Sequence, residues 1–297
     1  MELDRFIFNR VYKKGFEALD GETGDVVFVR RVVRSILRQE AEEAEEAEEA
    51  EEAHLTHAEA SRGATVLRSL PEHNNVISLV ASGDVGPDFY WVVDFFDVDL
   101  CSLIYEPGGH HVNMPRIRFI MRALLLGVDH LHRHGVVHRD LKPMHVFVNR
   151  ATAQVKIGGF ERARRTAVPP APLPEDGYSR RTSTWYRAPE TLMSSTFDGP
   201  GMDIWALGCI LAEMVLGRAM FMGNSELHQL YIIYRHLGIP KEEWPALLPD
   251  WHPRVPELNL MDLFPPEVLP LLLRMLSINP ANRISARQCL HDPFFSP

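Results

Sequence analysis

The sequence predicts an α+β protein with two lobes, in which a small antiparallel-sheet N-lobe precedes a larger helical C-lobe. Three observations support this architecture. Residues 6–33 alternate β-rich runs with short turns, the chain after Asp97 carries apolar residues at helical spacing, and the two patterns meet near Asp94. We therefore expect the chain to divide into an N-lobe (1–93), a hinge (94–97) and a C-lobe (98–297).

Composition and charge exclude several functional classes. Of the 40 acidic residues, nine glutamates lie between Glu40 and Glu52, and the other 31 equal the 31 Lys and Arg residues. The remaining chain is therefore neutral, which argues against nucleic-acid binding. The most apolar windows contain charged residues, so no membrane span is expected. Three widely separated cysteines favour a reducing compartment, cytoplasmic or nuclear.

The N-lobe is predicted from short β-rich runs and turn residues. Phe6–Tyr12 and Val26–Val29 favour strands, and a turn at Asp20–Gly24 separates them. Residues 54–70 have mixed helical character. Two further strands are predicted at Val76–Val80 and Phe89–Phe95.

A low-complexity acidic insert interrupts the N-lobe from Glu40 to Ala53. It repeats Glu-Glu-Ala, and on a helix its alanine stripe would drift by about 60° per triplet, which leaves no fixed apolar face. We interpret it as a solvated segment. An acidic docking arm is the alternative interpretation.

The C-lobe is predicted from helical periodicity. Pro115 suits a first helical turn ahead of the long amphipathic segment at 116–133. Three more helices are predicted at 202–216, 225–237 and 266–276, whereas the proline-rich segment 167–177 has no periodicity and is expected to be a loop.

Four motifs in the C-lobe resemble protein kinases. His138–Pro143 resembles the catalytic loop H-R-D-L-K-P-x-N, and Trp185–Glu190 the end of an activation segment. Asp203–Gly208 resembles the buried helix that follows. The residues of these motifs, together with those of Asn279–Arg283, are similar to those of cyclin-dependent serine/threonine kinases. The resemblance implies a protein kinase-like domain over residues 1–297.

The resemblance assigns roles to specific residues. Asp140 falls on the catalytic aspartate and Lys142 on the lysine that neutralises the transferred phosphoryl group. Scaffolding is the alternative role for this loop. Five residues fall on nucleotide-binding positions: Arg30 on the phosphate-pairing lysine, Lys13 near the phosphate lysine of the with-no-lysine kinases, Asp94 and Phe96 in the adenine-reading hinge, and Asp99 beside the ribose.

Both metal-binding positions depart from the family pattern. The asparagine that would bind metal is His145, and the aspartate of D-F-G is Gly159. Mg²⁺ prefers oxygen ligands, and imidazole is a poor replacement. Glu161 is close enough in sequence to be considered as a substitute, but we predict no protein-bound metal.

The glycine-rich loop, which would cover the phosphates, and the residues that would contact adenine also depart from the family pattern. The three glycines of the glycine-rich loop fall on Phe8, Arg10 and Lys13, so close backbone approach to phosphates is lost. Phe28 and Phe147 are positioned to fill the adenine space. The glutamate that would hold the phosphate lysine falls near Gly63, with Glu59 one turn away.

Other matching positions imply structural contacts. Glu190 and Arg283 fall on a pair that ties the activation segment to the C-lobe, and Asp203 on a residue that holds the catalytic loop. Arg139 and Arg164 fall on arginines that receive an activation-loop phosphate. The phosphothreonine position itself is Tyr178.

Two functional hypotheses remain open at this stage. The first is a pseudokinase, a kinase-shaped binding or regulatory domain with weak or no phosphotransfer and no cofactor. The second is an active serine/threonine kinase that uses ATP with Mg²⁺. Either would have a protein substrate or partner, with a cyclin as one candidate because the family's cyclin-binding helix falls at 54–70.

Overall fold

The computed structural model describes residues 4–12, 15–32, 57–107, 112–166, 184–193, 199–238 and 260–296. Its N-terminal part is a five-stranded antiparallel sheet in the order β1-β2-β3-β5-β4. The strands are β1 (Phe6–Tyr12), β2 (Gly15–Asp20), β3 (Val26–Val32), β4 (Leu79–Val85) and β5 (Asp88–Asp94). The acidic insert, the proline-rich loop, Lys13 and Tyr178 lie outside the described residues.

The first helix, α1 (His57–Arg68), packs against one face of this sheet. Its buried residues include the small side chains of Ala60 and Ala64, which allow a close approach. The prediction of a helix within 54–70 is therefore confirmed, with the described helix beginning at His57.

Helices dominate the C-terminal part, as predicted. The long helix α3 (Met114–Arg133) is capped by Asn113, whose side chain accepts a hydrogen bond from the Arg116 amide. The buried helix α5 (Gly201–Leu216) is followed by Gly217, which caps it in the left-handed conformation that favours glycine. The other helices are α2 (Leu100–Ile104), α4 (Pro189–Met193), α6 (Glu226–Leu237), α7 (Leu260–Leu263), α8 (Leu269–Met275) and α9 (Ala286–Cys289).

In the described part of the chain, five short strands form two small sheets after the N-terminal sheet. A three-stranded sheet has the order β6-β8-β9, and a two-stranded sheet pairs β10 with β7. Their bounds are β6 (Val98–Asp99), β7 (Val136–Val137), β8 (Val146–Val148), β9 (Val155–Ile157) and β10 (Arg164–Arg165).

Two predicted boundaries differ from the structure. The strand predicted at Val76–Val80 begins at Leu79, because the preceding residues leave the sheet and Val76 forms an isolated bridge with Ile157. The helix predicted at 266–276 begins at Leu269, after two consecutive prolines. The α+β prediction itself, strands first and helices after, is confirmed.

Within the described ranges, every helix is too short or too polar to span a membrane.

Candidate active site

The loop that carries Asp140 is fixed by hydrogen bonds to Asp203 on α5. The amides of His138 and Arg139 both donate to the buried carboxylate of Asp203, each at 2.9 Å. Arg139 has a φ of 70°, which is rare for a side-chain-bearing residue, so these bonds hold a strained backbone in place. Asp203 therefore makes the contact that the resemblance implies.

The Asp140 carboxylate has two cationic or polar neighbours, both beyond hydrogen-bond distance. His145 Nδ1 and Arg162 Nε each lie 3.6 Å from its Oδ2 atom. The Asp140 side chain is only 10% exposed. Lys142 is also buried, and its carbonyl accepts a hydrogen bond from the His145 amide at 2.9 Å.

His145 is locked in place as a neutral ring. Its Nδ1 lies 2.7 Å from the carbonyl oxygen of Asp140 and therefore donates to it. Burial, followed by the charge of Lys142, lowers the pKa of His145 to about 3. At neutral pH the imidazole is uncharged and its donor nitrogen is already engaged.

The ring of His145 occupies the space that a side chain at residue 159 would need. A Cβ atom added to Gly159 would lie 2.3 Å from His145 Cγ and 2.5 Å from Nδ1. Gly159 also has a φ of 74°. The two positions that would hold magnesium in a kinase thus offer a buried neutral imidazole and no side chain, which does not fit Mg²⁺. Among the described residues, no group of three or more His, Cys, Asp and Glu residues is suited to a metal ion.

Arg30 forms an ion pair with Glu161. Residue 63, where the family glutamate was expected, is a glycine that contacts backbone instead: an added Cβ would lie 2.5 Å from the Phe160 carbonyl oxygen and 2.8 Å from the Trp91 ring. Arg30 on β3 therefore pairs with Glu161, which lies on the segment after β9, and not with a glutamate on α1. Glu161 had been considered for metal binding, and its pairing with Arg30 was missed.

The ion pair between Arg30 and Glu161 is expected to contribute to stability. Glu161→Gln should lower the free energy of unfolding by about 1–2 kcal/mol, since the pair is largely buried and the guanidinium would lose its counter-charge. A double-mutant cycle with Arg30→Gln, followed by urea denaturation, measures the coupling. Purely additive losses would show that the two side chains do not interact.

A cavity of about 160 Å³ lies between the sheet and the C-terminal part. This is below the range of about 300–1,000 Å³ typical of ligand pockets. Phe28 and Phe147 line it from opposite sides but do not fill it. The full lining comprises Phe28, Arg30, Ile77, Trp91, Val93, Asp94, Phe96, Asp99, Met144, His145, Phe147, Gly159 and Glu161.

The predicted hinge residue Asp94 and the predicted ribose-side residue Asp99 line this cavity, but their carboxylates have other partners. Asp94 forms an ion pair with Lys156 at 2.5 Å and accepts a hydrogen bond from the Ser78 amide at 3.0 Å. Asp99 accepts one from the Ser102 amide at 2.8 Å and so caps α2. Lys156 was not predicted, because its pairing depends on how β9 packs beside the hinge.

The structure brings most of the predicted residues together. Arg30, Asp94, Phe96 and Asp99 line the cavity, and Asp140 adjoins it through His145. The implied tie between Glu190 and Arg283 is present as two hydrogen bonds of 2.6 and 2.9 Å.

Comparison with known proteins places this geometry in a family. The protein kinase domain profile matches residues 21–295. Cyclin-dependent kinase B2-2 of Arabidopsis thaliana is 39% identical over 217 residues, which cover 69% of this chain and 67% of that protein. Cell division control protein 2 homolog D of Antirrhinum majus is 32% identical over 300 residues, covering 96% of this chain and 90% of the relative. The two-lobed α+β prediction is thereby confirmed, and the chain belongs to the protein kinase superfamily, in which it resembles the cyclin-dependent kinases.

Proposed function

We propose that this cyclin-dependent-kinase-like protein is a pseudokinase, a binding or regulatory domain with weak or no phosphotransfer. The observation that carries the proposal is the contact between His145 and Gly159. The imidazole fills the space where a metal-binding carboxylate would project, so neither expected magnesium position presents an oxygen ligand. The Arg30–Glu161 ion pair supports the same proposal, because in kinases the β3 cation pairs with a glutamate of the N-lobe helix, whereas here it pairs with a residue of the segment after β9.

Magnitudes favour this function over efficient catalysis. Loss of a single preorganised electrostatic contact costs about 10²- to 10³-fold in rate. Here two metal positions, the phosphate lysine and the glycine cover all differ from the family pattern. The losses are not additive, but a typical kinase turnover of about 1–100 s⁻¹ leaves little activity when several parts fail together.

An active serine/threonine kinase is the second candidate, and the catalytic loop favours it. Asp140 and Lys142 are retained, and Asp203 holds their loop by hydrogen bonds. In this alternative Asp140 would orient a Ser or Thr hydroxyl, while Lys142 and either Arg30 or Lys13 would supply positive charge. ATP would then carry its Mg²⁺ mainly through its own phosphates.

One experiment separates the two candidates. Thermal unfolding would be followed during ATP titration, with and without Mg²⁺ or Mn²⁺, and transfer of labelled phosphate to a protein substrate would be measured beside Asp140→Asn. We expect no metal-dependent rise in Tm and no transfer above that control. Metal-dependent stabilisation together with activity that disappears in Asp140→Asn would establish the kinase instead.

The partners that we propose follow from the same family. A protein substrate or protein partner is proposed, and a cyclin is one candidate because α1 occupies the expected cyclin-binding region. The balanced charge outside the acidic insert supports partners other than nucleic acid. We also propose a cytoplasmic or nuclear location.

A further inference from the structure

Three histidine rings lie side by side where the loop before β4 crosses the end of α3. The rings of His73 and His130 are 4.6 Å apart and nearly parallel, at 25°. The ring of His134 lies 4.4 Å from that of His130 and is tilted by 47° to it. We call these three residues the histidine stack. It lies outside the cavity and has no part in the proposed function.

Hydrogen bonds define the neutral form of each ring. His73 Nδ1 accepts from the Asn75 amide at 3.1 Å and therefore carries no proton. His130 Nε2 is 3.0 Å from the Pro71 carbonyl oxygen, and His134 Nδ1 is 2.8 Å from that of His130, so both nitrogens donate. In this arrangement His73 cannot gain its second proton without placing an N–H against the Asn75 amide.

Asn75 connects the histidine stack to β9, the strand that leads into the cavity. Its carbonyl accepts a hydrogen bond from the Ile157 amide at 2.9 Å, and its side chain donates to the Val155 carbonyl at 3.0 Å. These bonds hold β9, which continues directly into Gly158 and Gly159. Asn75 is also pressed against α3, since a Cβ at Gly127 would lie 2.8 Å from its carbonyl oxygen.

Burial and the neighbouring positive charges disfavour the protonated rings, whereas Asp129 acts in the opposite direction. Burial lowers the pKa of His73, and the adjacent His130 lowers it further. Burial also lowers the pKa of His130, with His134 and Arg133 acting in the same direction. The charged and titratable groups near the stack are Asp129 and Arg133 on α3, Lys156 on β9, Arg165 near the His134 carbonyl, and Glu72 in the loop. His132 faces away and contacts Asp203.

We propose that the histidine stack is a pH-sensitive clamp. Mild acid protonates His73 and His130, which breaks the bond from the Asn75 amide and sets two like charges against each other at 4.6 Å. The loop at 71–75 then loosens from α3 and β9. Because β9 leads into Gly159, which lines the cavity, this wall of the cavity loosens with it.

The expected pH window follows from linkage. A histidine whose pKa is lowered on folding binds fewer protons in the folded state than in the unfolded state, whose pKa is about 6.5. Its contribution to stability is therefore complete above about pH 6.5 and is lost progressively as the pH falls below that value.

Thermal unfolding of the full chain at pH 7.5 and pH 5.5 tests the clamp. His130→Phe keeps an aromatic ring in the stack but removes the central proton acceptor, and His291→Phe replaces an exposed histidine elsewhere. We expect the wild-type fall in Tm between the two pH values to be reduced by roughly 2–4 °C in His130→Phe and unchanged in His291→Phe. An equal fall in all three proteins would overturn the proposal.

Two further measurements on the wild type cover the case in which His130→Phe fails to fold. Hydrogen exchange at the Asn75 and Ile157 amides, corrected for intrinsic rates, should show lost protection at pH 5.5. Ring NMR titration should show His73 and His130 titrating below the ordinary range and affecting each other. Unchanged protection, or two ordinary and independent titrations, would overturn the clamp.

Discussion

Gly159→Asp is expected to destabilise the protein by about 2–3 kcal/mol, although aspartate is the residue that kinases carry at this position. The new Cβ would collide with the His145 ring, which is held by its bond to the Asp140 carbonyl. His145→Asn removes the ring, so the double variant should recover much of the loss. Urea denaturation of the two single variants and the double variant measures this coupling.

Backbone strain must be separated from this collision. Gly24 has a φ of 79°, close to the 74° of Gly159, but no atom lies within 4 Å of an added Cβ. Gly24→Asp therefore measures the cost of the left-handed conformation alone, and it should be the smaller loss. Equal losses at the two glycines, or a double variant no better than Gly159→Asp, would show that His145 does not block the site.

Glu190→Gln is expected to cost about 3–5 kcal/mol, because it removes one partner of a buried ion pair. Arg283 donates two hydrogen bonds to Glu190, and its side chain is 0% exposed. It also donates to the carbonyls of Gly201 and Ser277, so it would remain buried and charged after the substitution. Urea denaturation gives the change in the free energy of unfolding.

A matched exposed pair provides the control for this prediction. Glu106 accepts a hydrogen bond from Arg150 at 3.0 Å, but the two side chains are 42% and 47% exposed. Glu106→Gln should therefore cost less than about 1 kcal/mol. If Glu190→Gln were no more costly than Glu106→Gln, burial would not be the source of its effect.

Most of the fold could be predicted from the sequence. Periodicity located α3 and α5 to within about two residues, which is the usual uncertainty of helix ends. Motif resemblance also anticipated the Glu190–Arg283 contact, although the residues are 93 positions apart. Boundaries next to prolines and loops were less accurate, because they depend on tertiary contacts such as the bridge between Val76 and Ile157.

The site itself could be predicted only in part. The absence of metal-binding side chains at His145 and Gly159 could be identified from the sequence. The collision of the His145 ring with a side chain at 159 could not, because it depends on a backbone angle and a ring orientation. The Arg30–Glu161 pair joins residues 131 positions apart. The sequence indicated it only through an arginine at the position of the family lysine and a glutamate next to the altered D-F-G motif. The histidine stack likewise required the loop at His73 to meet α3.

The contact between His145 and Gly159 also restricts how this sequence can change. Aspartate at 159 is sterically accessible only after residue 145 loses its ring, and asparagine at 145 lacks that ring. A substitutional path toward two oxygen-bearing side chains therefore has a preferred order, 145 before 159. While His145 is present, a change of residue 159 to aspartate carries a cost in stability.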